Sequence, residues 1–76
     1  MENVYLKVAG NVIAKRIEEL KDFKKILEEF YAEGDDIEGI DHSKLAEHLD
    51  GAINSVNDAI VELGNLTKFI KEEQNG

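Results

Sequence analysis

An apolar stripe repeats every seven residues from Leu45 to Ile70 and holds small residues at two of its inner positions. One row reads Leu49, Val56, Leu63, Ile70, the next Leu45, Ala52, Ala59, Leu66, and a flanking row Ala46, Ile53, Ile60, Thr67. Three apolar positions in seven exceed the two-row seam of a two-stranded coiled coil. That width suits a helix in a bundle.

The first part of the chain, about residues 3–33, carries the same period. Leu6, Ile13, Leu20 and Leu27 form its row, flanked by Ala9, Ile17, Phe23, Phe30 and Tyr31. Val4, Leu6 and Val8 also alternate with Tyr5 and Lys7, and Gly10-Asn11 offers a break. A short strand there would have no second strand to pair with, so one continuous helix is expected. Gly34 stands where a left-handed helix-capping glycine belongs, and Asp41 where a second helix takes its N-cap. That second helix is expected over about 42–73, fraying at Gln74-Asn75-Gly76.

Two helices of about 30 residues joined by an eight-residue connector, 34–41, should fold back as an antiparallel hairpin in one domain, 1–76. Their registers agree. Leu27 with Leu49, Leu20 with Val56, Ile13 with Leu63 and Leu6 with Ile70 all sum to 76. The same pairing sets Phe23 across from Ala52 and Arg16 across from Ala59, large against small. One hairpin has one seam, too narrow for a three-row stripe. The fold expected is therefore all-α, a hairpin that dimerises into a four-helix bundle, with Leu20, Phe23, Leu27, Leu49, Ala52, Val56, Ala59 and Leu63 as its dimer core.

Composition bears on the class of protein. The 76 residues include no cysteine and no proline, which removes disulfides and thiolate metal sites as staples and leaves oligomerisation. No apolar run reaches the roughly 18 residues of a membrane span, and the N-terminus lacks a signal-peptide layout, so a cytoplasmic protein is expected. Half of the net charge of −8 lies in the connector, where Asp35, Asp36, Glu38 and Asp41 meet no base. An acidic chain is a poor match for nucleic acid or an anionic membrane. Lys15, Arg16, Lys21, Lys24 and Lys25 are interleaved with Glu18, Glu19, Asp22, Glu28 and Glu29, which cancel their field. Arg16 and Lys24 are expected to lay their stems along the seam and pair with glutamates. Acidic mimicry of DNA ranks lower, because the carboxylates gather at one end.

Signs of catalysis are missing. Aligning Gly39 with the invariant glycine of an EF-hand loop puts Gly34 at the first ligand position and Leu45 at the twelfth, and neither can ligate calcium. His42 and His48 are six apart, and His48 shares no helix face with a carboxylate three or four residues away, so no metal site is expected. No catalytic residue and no cofactor is assigned, and the chain is read as a non-enzyme.

The outer face of the second helix draws attention instead. Asn54, Asn57, Asp58, Val61, Gly64, Asn65 and Lys68 lie there, several of them poor helix formers at about 0.5–1 kcal/mol each. Small neutral residues around Val61 let another surface approach. That face, with Asp35, Asp36 and Glu38, is the expected site for a protein partner of unknown identity.

The stretch Ala46-Glu47-His48-Leu49-Asp50 resembles, at two of five positions, the Ser-Gln-Glu-Leu-Asp of small hairpin phosphatases that act on sporulation response regulators. The resemblance implies phosphatase or accessory action on a phosphorylated regulator as the alternative function, and no catalytic role is carried across. By composition alone the chain is similar to small acidic phage-type inhibitors and accessory factors.

Overall fold

The computed structural model describes residues 3–75, with two helices and a short turn between them. Helix α1 spans Val4–Glu33 and α2 spans His42–Asn75. Gly76 lies outside the described residues. Among these residues no strand forms, and α1 runs unbroken through Gly10-Asn11, because a helix satisfies every backbone group that a lone strand would leave unpaired. Asn3 caps α1, its Oδ1 accepting from the Leu6 amide at 3.2 Å. Asp41 caps α2, its Oδ1 accepting from the Lys44 amide at 3.1 Å.

Gly34 departs from the expected left-handed cap. Its φ is −59°, and the chain continues into a 3-10 turn, Gly34–Asp36, with the Ile37 amide donating to the Gly34 carbonyl. Packing is close there: a Cβ would stand 3.2 Å from Leu45 Cδ2 and would push that methyl back by a few tenths of an ångström. The left-handed turn falls at Gly39 instead, φ 81°. His42 Nε2 donates to the Ile37 carbonyl and closes the connector onto α2.

The helices pack antiparallel, the rows Leu6 to Leu27 and Leu49 to Ile70 forming the seam between them. Gly10 lies against Ile70, and Gln74 Nε2 reaches the Asn3 carbonyl at 3.2 Å, so the free ends meet. The result is a rod of 59 × 15 × 14 Å. Its radius of gyration is 17.3 Å, against about 11 Å for a compact domain of this length.

The seam is thin. Leu49 and Ile70 are its buried apolar side chains, at 6 % exposure each, while Leu6, Ile13, Leu20, Leu27, Val56 and Leu63 are half-buried. Its flank on α1 matches the expected one in part: Ala9 and Ile17 are half-buried, together with Gly10 and Lys24, whereas Phe23, Phe30 and Tyr31 stay exposed, Phe23 at 48 %. A single partner helix covers two rows, and the hairpin leans toward the side where α2 carries the bulkier Ile53 and Ile60.

Candidate functional site

In an antiparallel pair, rows displaced in the same angular sense from the two seams come to the same side of the hairpin. Each hairpin therefore has two broad faces. The residues that flank the seam decide their character.

One face is polar and bonded within the chain. Lys24 Nζ donates to Asn57 Oδ1 at 3.1 Å, from one helix to the other. A shallow groove near the free ends is lined by Lys7, Gly10, Asn11 and Ala14 with Thr67, Lys71 and Gln74. The expected carboxylate partner for Lys24 is thus replaced by an amide. Asn57 acquires a role inside the hairpin, which the reading of the outer face as a partner site did not foresee. Arg16 does find a glutamate, Glu19 Oε2 at 2.7 Å.

The opposite face is apolar and open. On α1 it carries Tyr5, Ala9, Val12, Arg16, Glu19, Phe23, Ile26 and Phe30, a run spaced four and three residues apart, so all lie on one stripe. On α2 the matching stripe holds Leu45, His48, Ala52, Ser55, Ala59, Glu62, Leu66 and Phe69. Ile26 is 59 % exposed and Phe69 55 %, and Tyr5, Val12, Phe30 and Leu66 are exposed as well. An exposed aromatic alone is ordinary, but Phe23, Ile26 and Phe30 near one end and Tyr5, Val12, Leu66 and Phe69 near the other form more than scattered single residues. Arg16 and Glu19, paired with each other, interrupt the stripe on α1, and His48, Ser55 and Glu62 interrupt it on α2.

Of the residues expected to form a dimer core, Leu20, Leu27, Leu49, Val56 and Leu63 are placed in the seam within one hairpin. Phe23, Ala52 and Ala59 stand on the open face. The expected partner residues Asn54, Asn57, Asp58, Val61, Gly64, Asn65 and Lys68 are exposed on the back of α2, away from the open face. Asp35 and Asp36 belong to the 3-10 turn and Glu38 follows it, all exposed and at the far end of the rod. Tyr5, Val12, Ile26 and Phe69 were assigned to no site from sequence. Their four-and-three spacing was the signal that could have found them.

A notch of about 120 Å³ at the connector end, lined by Tyr31, Gly34, Asp35, His42, Leu45, Ala46 and Leu49, is too shallow to enclose a substrate. Among the described residues no three His, Cys, Asp or Glu side chains gather as metal ligands would. No helix of the described residues is long and apolar enough to cross a membrane. Comparison with protein-family models, curated proteins and solved structures finds no match to this chain. Within the stretch that resembles the hairpin phosphatases, Leu49 turns into the seam and Ala46 onto its flank, while Glu47, His48 and Asp50 face solvent.

Proposed function

We propose that the chain is a non-catalytic, cytoplasmic protein–protein interaction module. It works as a homodimer of hairpins closed into a four-helix bundle and uses the outer face of α2 to hold or block another protein, in the manner of a small inhibitor or accessory factor. The observation that carries this reading is the open apolar face. The chain exposes 5983 Å², about 1,300 Å² more than a folded monomer of its mass, for which area scaling gives about 4,700 Å². Covering that excess on two copies would bury on the order of 2,600 Å² in all, within the range of obligate homodimers. A second hairpin supplies a surface of the right length and character. The outer face, with Val61 among Asn54, Asp58, Gly64 and Asn65, stays free for a different partner.

Sedimentation equilibrium tests the first half of the proposal. A mass near twice 8.5 kDa at micromolar concentration is expected, and a mass near one chain would refute the dimer. For the second half, capture of a stoichiometric partner by wild type and its loss in a Val61→Glu, Gly64→Glu variant is expected. Equal capture by both removes the outer face as the site.

A further inference from the structure

The open face of α1 is complementary to itself. We infer that two copies pack these faces with their connectors at opposite ends, α1 lying antiparallel on the α1 of the second copy about a two-fold axis between Arg16 and Glu19. This rests on the dimeric reading above and specifies its arrangement. Turning α1 about that axis brings together residues whose numbers sum to 35. Arg16 then meets Glu19 of the other copy, Val12 meets Phe23, Ala9 meets Ile26, and Tyr5 meets Phe30. Each pair joins opposite charges or two apolar groups, and in two of them a smaller side chain faces a larger one. Nothing in the seam of a single hairpin requires that match.

The polar pair acquires a purpose in this arrangement. Arg16 and Glu19 are bonded at 2.7 Å within one chain, yet their side chains remain 65 % and 50 % exposed. At the axis two guanidinium groups alternate with two carboxylates, and each guanidinium has donors to spare for a second acceptor. Ion pairs inside an interface contribute more to register than to affinity. A sliding of α1 by one turn would set Arg16 on Phe23 and Glu19 on the Glu19 of the other copy, or Glu19 on Val12 and Arg16 on the Arg16 of the other copy, so one charge loses its partner and the other meets its like. The same axis crosses α2 beside Ala59, where Ser55 of one copy meets Glu62 of the other, a hydroxyl donor facing a carboxylate.

The other two-fold arrangement places α1 on the α2 of the second copy and both connectors at one end. Arg16 would then lie on Ala59 and Glu62 on Val12. It would also set two connectors side by side, each bearing Asp35, Asp36, Glu38 and Asp41 without a base. Connectors at opposite ends of a 59 Å rod are separated by several Debye lengths of about 8 Å.

The test uses Ser43→Cys, a near-isosteric change at an exposed position in the first turn of α2 that gives the chain its sole cysteine. With a nitroxide attached, pulsed dipolar spectroscopy on the intact dimer should read a separation of about 45 Å, from 1.5 Å of rise per residue on either side of the axis. A separation of about 25 Å or less, two helix diameters, would overturn the opposite-end arrangement while leaving the dimer standing. A monomeric mass for the same labelled sample would overturn both.

Discussion

The two faces of the hairpin share one seam and one heptad period, yet they end differently. On the polar face Lys24 reaches Asn57 and Gln74 reaches the Asn3 carbonyl, so the groups that border the seam find partners inside the chain or in water. On the open face Phe23, Ile26, Phe30, Leu66 and Phe69 border the same seam with nothing above them. The difference teaches that a heptad stripe fixes which rows need cover but not which copy supplies it. A polar flank is complete when solvated; an apolar one is complete only when another surface is laid on it.

Charging the open face should break this contrast most strongly. Ile26→Glu appears twice in a symmetric dimer and should raise its dissociation constant at least 1,000-fold, about 4 kcal/mol, by sedimentation. The same change at Val61, on the back of α2, should leave dimerisation unchanged. Next in size is Leu49→Ala, which empties the buried seam both faces depend on. It should cost about 3 kcal/mol of stability in denaturant titration.

A smaller effect sharpens the comparison. Arg16→Glu and Glu19→Arg should each weaken self-association tens-fold, and mixing the two variants should restore a one-to-one heterodimer. A mixture no tighter than its components would remove the charge pair from the interface. Gly51→Ala and Gly64→Ala meet nothing within 4 Å and carry no unusual backbone angle, so each should raise thermal stability by about 1 kcal/mol. Smallest of all, Asn57→Ala should leave stability nearly unchanged, the loss of an exposed hydrogen bond, about 0.5 kcal/mol, being offset by the higher helix propensity of alanine.

The seam was legible because both helices carry one period, whose rows are the half-buried ones. The cap at Asp41 was legible, since it precedes an apolar run after two glycines, whereas the cap at Asn3 was not assigned, because it lies in a segment that also alternates like a strand. The lean of the seam was not legible. Ala9, Phe23 and Phe30 flank the row Leu6 to Leu27 on one side and Gly10, Ile17 and Lys24 on the other, at equal angular cost. Only the facing helix, with Ile53 and Ile60 on one side and Ala52 and Ala59 on the other, decides between them. Gly34 misled for a related reason. Its position suggested a left-handed cap, whereas its φ is −59° and its close neighbour is the methyl of Leu45 from another helix. Asn57 was likewise assigned to a face for a second protein, because its partner Lys24 within the chain lies 33 residues earlier.

Leu49 and Ile70 sit three heptads apart in one row, the first beside the connector and the second beside the free ends. Between them the seam rests on half-buried side chains at Ile13, Leu20, Val56 and Leu63, so the apolar burial that holds the two helices together is deepest toward the ends of the rod. A surface laid on the open face would add its burial along the middle, where the hairpin alone has least.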